Sequence, residues 1–234
     1  MDLAQRVSDV QRRMAEACQR AGRAQDSVQL AAVSKGHPPE AIREAVQAGL
    51  RLFAENKIQE AKLKIPQCPP STQWHFIGHL QSNKVRDAVA FFHTIQSVDR
   101  WEIAEALNQA AEKAAKSVRI YLEVNVAGES TKFGFSPEAL LRDLERMNSL
   151  PRLEIYGLMG MAPWTPDQQR IRQVFRRLRE LRDECCSRLG APSMELSMGM
   201  SGDYEIAIEE GATLVRVGTA LFGPRRFVKA QASE

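Results

Sequence analysis

The 234-residue sequence contains no apolar run approaching the roughly 18 residues that a membrane-spanning helix needs, so no membrane partner is expected. Its opening, MDLAQRVSDVQRR, lacks the charged-then-apolar plan of a secretory signal, and the chain is expected to stay in the cytoplasm. Charge of one sign is also missing. Lys plus Arg number 32 against 29 Asp plus Glu, and the resulting +3 is too small and too evenly spread to select nucleic acid by field alone. Cysteine is scarce: Cys18, Cys68, Cys185 and Cys186 show no C-x-x-C or Cys/His spacing suited to zinc. They read as reduced, small hydrophobic residues, and no metal is expected. No Gly/Ser/Pro-rich linker divides the chain, so residues 1–234 read as one domain, with 1–22 as an N-terminal helix and 224–234 as a mobile tail. What is present is ordinary for a folded globular body, 44% hydrophobic and 26% charged.

Leu3, Val7, Val10, Met14, Ala17 and Ala21 recur at spacings of four and three, which predicts an amphipathic helix ending at Gly22. Next, Val28–Val33 is a compact apolar run suited to a strand covered on both faces. Further strands are predicted near Arg51–Asn56, Gln73–Gly78, Phe91–Val98, Val118–Val126, Leu153–Met161, Met194–Met200 and Thr213–Phe222. Helical patterns separate them, at Pro39–Gly49, Lys57–Lys64, Asn83–Ala90, Trp101–Lys116, Pro137–Asn148, Pro166–Leu189 and Tyr204–Glu210. Strands alternating with helices predict a parallel α/β sheet, and eight such units in this length match a closed (β/α)8 barrel, with an open doubly wound sheet as the alternative. The basic face of Gln168–Leu189 reads as a solvated exterior helix, and Trp74, Trp101 and Trp164 as packing or rim residues.

Barrel active sites lie at the C-terminal ends of the strands, which directs attention to Ser34, Lys35, Glu55, Asn56, Gly78, His79, Asn125, Met159, Ser197–Ser201, Arg216, Gly218 and Thr219. Lys35 directly ends the apolar strand AAVSK. An amine there, taken from water, becomes a better nucleophile toward carbonyls, although a lysine in an exposed turn is the plainer reading of the position alone. LSMGMSGD and RVGTALFG supply glycines and the hydroxyls of Ser197, Ser201 and Thr219, a composition that lets backbone N–H groups approach a phosphate. Together these suggest a phosphorylated aldehyde or ketone, either pyridoxal phosphate or a sugar phosphate. Arg216, two residues before Gly218, can share the inward face and keep a facing pyridine nitrogen unprotonated; a surface ion pair explains it equally well.

The strings AVSK, FAENKIQEA, WHFIGHLQSNK, IQSVDR, VNVAGESTKFGF, GLMGMAP and LSMGMSGDYEIAIEEGATLVRVGTALFG, in order along nearly the whole chain, resemble the YggS/PROSC-type pyridoxal-phosphate homeostasis proteins. The resemblance implies a single (β/α)8 TIM barrel of the fold-type III class, similar to the N-terminal domain of alanine racemase but lacking the racemase C-terminal β domain. It implies pyridoxal 5′-phosphate (PLP) as cofactor, held as an aldimine on Lys35. By the same motifs Asn56 lies near the cofactor, Ser201, Gly218 and Thr219 receive the phosphate, Arg216 faces the pyridine nitrogen, and His75 and Met200 line the pocket. Ala54 and Lys57 depart from the family's usual glycine and aromatic; the lysine adds a cation near the mouth, and His37 could approach the pocket, although an exposed turn histidine is the plainer reading.

The function implied is PLP binding in vitamin B6 homeostasis, buffering the cofactor or delivering it to apo-enzymes. No catalytic residue is assigned, and a monomer is expected. The alternative is an amino-acid racemase of alanine racemase type with weak or one-base activity. Two-base racemisation needs acid/base groups on both faces of the substrate, and Tyr121, Tyr156 and Tyr204 all fall within or beside barrel elements. A Schiff-base aldolase or isomerase without cofactor is the third possibility.

Overall fold

A computed structural model describes residues 2–129 and 131–224. Its strands are β1 (Gln29–Val33), β2 (Leu52–Glu55), β3 (Gln73–Phe76), β4 (Thr94–Val98), β5 (Val118–Val124), β6 (Leu153–Gly160), β7 (Glu195–Ser197) and β8 (Leu214–Val217). They pair in parallel in sequence order, and β8 closes on β1 through the register Ala31↔Arg216 and Ala32↔Val217. The helices are α1 (Leu3–Arg20), α2 (Pro39–Gln47), α3 (Ile58–Lys64), α4 (Val85–Phe91), α5 (Trp101–Lys113), α6 (Pro137–Asn148), α7 (Gln168–Leu189), α8 (Tyr204–Glu209) and α9 (Thr219–Phe222). The expected single (β/α)8 barrel is therefore the observed fold, with α1 preceding it. No helix among the described residues is long and apolar enough to cross a membrane.

Local chemistry explains the element ends. Asp2 caps α1 by accepting from the Gln5 amide at 2.8 Å while the Gln5 side chain accepts from the Asp2 amide, a capping box of the kind that stabilises a helix by about 1 kcal/mol. Leu3, Val7, Val10, Met14 and Ala17 are buried on one face. On the other, Arg13 and Arg20 pair with Glu205 and Glu209 and fix α1 against α8. Across the barrel wall, alternate residues sort cleanly. Ala32, Phe53, Trp74, Phe76, Ile120, Leu122, Leu158, Leu196 and Val215 join the apolar layer under the helices. Ala31, Val33, Ala54 and Leu214 form a separate small cluster on the inner face. Most of the remaining inner positions are polar and buried: His75, Gln96, Glu123, Ser197 and Arg216.

The structure corrects several boundaries. The predicted strand Thr213–Phe222 is two elements: β8 stops at Val217, the chain turns at Gly218, and Leu221 and Phe222 donate back to the Gly218 carbonyl as a short helix. Period cannot separate a four-residue apolar strand from one helical turn. Phe91 ends α4, so β4 begins only at Thr94. The helix predicted at Tyr204–Glu210 is observed as α8, entered through a turn in which the Asp203 and Tyr204 amides donate to the Met200 carbonyl. The basic face of α7 is only partly solvated: Arg172, Arg176 and Arg179 reach Glu209 or Glu210 at the end of α8. Trp74 is buried, whereas Trp164 on the β6–α7 connection is 101% exposed. The tail residues 225–234 lie outside the described residues.

Candidate functional site

Lys35 follows β1 in phase with the inward-facing Ala31 and Val33, which directs its side chain toward the barrel mouth, where it is half-buried. The Ser34–His37 segment is a turn closed by the His37 amide donating to the Ser34 carbonyl at 3.0 Å. Next to it, Gly218 at the end of β8 approaches β1 so closely that a Cβ would lie 3.2 Å from the Val33 carbonyl oxygen. The lysine turn and the Gly218 turn are therefore direct neighbours.

At Gly218 the backbone forms a small cradle. The Ser201 Oγ accepts from the amides of Gly218 and Ala220, each at 3.3 Å, so two N–H groups converge on one oxygen position that a hydroxyl fills. Bonds this long are weak, and an anionic oxygen is the stronger acceptor for the same donors. Ser201 itself is held in a tight loop, in which the Met200 amide donates to Asp203 Oδ1 at 2.6 Å. Thr219 is exposed at the start of α9, beside these amides.

Arg216 occupies the middle of the barrel. Its guanidinium donates to the Ser197 carbonyl at 2.6 Å, to Ser197 Oγ at 2.7 Å and to the Gly160 carbonyl at 3.0 Å. Burial lowers its pKa to about 10, against the opposing charge of Glu123, so it remains a cation at neutral pH. The chain of donors continues: Ser197 Oγ gives its hydrogen to Gln96 Oε1 at 2.6 Å, and the Gln96 amide nitrogen donates to His75 Nδ1 at 2.7 Å. Burial lowers the His75 pKa to about 3, so the ring is neutral and its Nδ1 is free to accept. Every buried member of this line thus has a partner of complementary role, which orients Arg216 and His75 together.

Glu123, inward and buried on β5, faces Asp99 at the end of β4 and Arg216 on β8. Burial pushes its carboxyl up to about 7, Asp99 adds to the rise and Arg216 opposes it. Asp99 pairs with Arg100 at 2.6 Å and with His79 Nδ1 at 3.0 Å. The His79 ring in turn stacks on Phe133, with centroids 3.7 Å apart. Asn56 follows β2 with its backbone packed against Gly78, where a Cβ would fall 2.1 Å from the Asn56 oxygen. Met200 is exposed on the β7–α8 loop, Lys57 is exposed at the start of α3, and His37 packs its ring 5.1 Å from Phe222 of α9.

All eight sequence-predicted site residues thus lie on inner strand positions or at the C-terminal ends of strands. Sequence reasoning did not single out Gln96, Asp99 or Glu123. The available signal was a polar residue at an inward position of an otherwise apolar strand, as in TIQSV and VRIYLEV.

The alanine racemase N-terminal domain model matches residues 7–226. The chain belongs to this family. Among its relatives, the pyridoxal phosphate homeostasis protein of Aquifex aeolicus is 42% identical over 228 residues, covering 97% of this chain and 100% of the relative. That of Pseudomonas aeruginosa is 43% identical, covering 96% of each. The structure of PipY from Synechococcus elongatus with PLP bound superposes with a TM-score of 0.84 at 38% identity, covering 95% of this chain and all of PipY. Alanine racemase of Clostridium difficile shares the fold, with a TM-score of 0.70 at 13% identity, and the match spans 57% of the racemase chain.

Proposed function

We propose that this protein binds PLP through Lys35 and serves intracellular PLP homeostasis by holding the cofactor and releasing it on demand. The observation that carries the reading is the close approach of Gly218 to Val33, which sets the Lys35 turn after β1 beside the amide cradle of Gly218 and Ala220 after β8. An amine and a phosphate-sized set of donors share one mouth. The near-full-length likeness to pyridoxal phosphate homeostasis proteins supports it.

In this reading the Gly218 and Ala220 amides, with the hydroxyls of Ser201 and Thr219, hold the phosphate. Bound PLP supplies an aldehyde that condenses reversibly with an amine. Lys35 provides that amine. Arg216, charged and oriented by three hydrogen bonds to Ser197 and Gly160, faces the pyridine nitrogen with a remaining N–H and does not give up its proton to it. Asn56, neutral His75 and Met200 line the space between. Met200 and Trp164, on the loops after β7 and β6, are exposed to solvent. The same reading takes residues 1–234 as one PLP-binding unit, a cytoplasmic monomer that supplies apo-enzymes.

The test is a visible-absorbance titration of purified protein with PLP, followed by incubation with a panel of L-amino acids and chiral detection. The reading expects saturable loading and no sustained D-enantiomer. Absence of any spectral change on adding PLP overturns it, and sustained D-amino acid formation replaces it with a racemase.

A further inference from the structure

Resting on that reading, we infer that Lys64 and Glu60 of α3 are positioning residues for Lys35: they clamp the backbone on both sides of it and so aim its amine. Lys64 is buried, and its ammonium reaches the Ser34 carbonyl at 2.8 Å, Glu55 Oε1 at 2.6 Å and Glu60 Oε1 at 2.7 Å. Glu60 Oε1 also accepts from the Gly36 amide at 2.6 Å. Ser34 Oγ donates to Glu55 Oε1 at 2.7 Å. The residues immediately before and after Lys35 are therefore tied to one ammonium, Ser34 directly and Gly36 through Glu60.

The turn so held is demanding. Gly36 has φ +76° at the third position of Ser34–His37, the positive value a type II turn requires there, and Lys35 itself has none. The Ser34 carbonyl already accepts from the His37 amide, and Lys64 supplies its second hydrogen bond. A buried ammonium with three oxygen partners is costly to assemble, since each ion must be taken from water. Apolar residues would pack α3 against the barrel at least as well, yet none could hold both flanks of Lys35. The Glu60 carboxyl is pushed up by burial, but the Lys64 hydrogen bond and the Gly36 amide outweigh this and hold it below its usual value, as expected for a carboxylate engaged on two sides. Because a displacement of about 1 Å in a reacting group costs on the order of 100-fold in rate, a clamp on this turn governs how fast the amine captures an aldehyde.

The experiment compares wild type with Glu60→Ala, Glu60→Gln and Lys64→Met. Glu60 is only partly buried, so Glu60→Ala keeps the Lys64–Glu55 pair and the fold. Three quantities are read: hydrogen exchange at the Gly36 amide without PLP, the rate of PLP capture by absorbance, and the affinity for inorganic phosphate as a competitor for the cradle. In Glu60→Ala and Lys64→Met the expected outcome is faster Gly36 exchange and PLP capture slowed by about tenfold or more, with phosphate affinity within about twofold of wild type. Glu60→Gln, which keeps an acceptor for Gly36, restores capture to within about threefold. Unchanged capture in both folded variants overturns the inference, and so does a parallel loss of phosphate affinity, which marks a general structural role. Failure of the wild type to capture PLP overturns instead the functional reading on which it rests.

Discussion

Glu123 makes the barrel interior pH-sensitive in a direction that can be worked out. Burial raises its carboxyl from 4.5 to about 7 in the folded protein. The folded state then holds this proton more tightly than the unfolded state, so the contribution of Glu123 to stability is fully present below about pH 4.5 and is lost as pH rises through about 7. At 1.36 kcal/mol per pKa unit, the difference corresponds to about 3 kcal/mol. Glu123→Gln removes the ionisation and keeps the shape. It is therefore expected to stabilise the PLP-free protein by about 3 kcal/mol at pH 8 and to be near neutral at pH 4.5, measured by urea titration at both pH values. For a chain of this size the gain at high pH corresponds to about 6–12 °C in Tm. The groups facing Glu123 are Asp99 and Arg216, and the charge of Arg216 already offsets part of the burial. A stability difference that is the same at both pH values, or destabilisation at pH 8, refutes the reasoning.

Three further substitutions test the site and its frame. Gly78→Ala places a Cβ 2.1 Å from the Asn56 oxygen, so backbone must shift; a loss of about 3 kcal/mol by urea titration is expected, with weakened PLP binding. Ser201→Ala removes the oxygen on which the Gly218 and Ala220 amides converge; equilibrium titration is expected to show PLP affinity reduced by about tenfold, with a change in stability of less than about 1 kcal/mol. Trp164→Ala, at a fully exposed position, is expected to leave stability within about 0.5 kcal/mol.

The barrel was legible because its strands are short apolar runs punctuated by prolines and glycines, and Lys35 stood out because it follows the apolar run AAVS. The phase of Lys35 with Ala31 and Val33, and of Arg216 with Gly218, needed no more than period two. The β8–α9 boundary was not legible, since RVGTALF is equally apolar as strand or as turn and helix. Nor were the partners of Arg216: Ser197 and Gly160 meet it, and Gln96 meets Ser197, only through the register of strands that a local pattern does not encode. Lys64 read as an ordinary basic residue at the end of a helix. Its role depends on α3 folding back over the ends of β1 and β2, which a local pattern does not encode.

The central claim is that the Lys35 amine is the group that takes PLP. Borohydride reduction of the PLP-loaded protein, followed by peptide mapping, tests it most directly. A pyridoxyl group confined to the peptide containing Lys35, and absent after Lys35→Ala, is the expected result. An unmodified Lys35 in protein that has bound PLP, or labelling centred on another lysine, contradicts it.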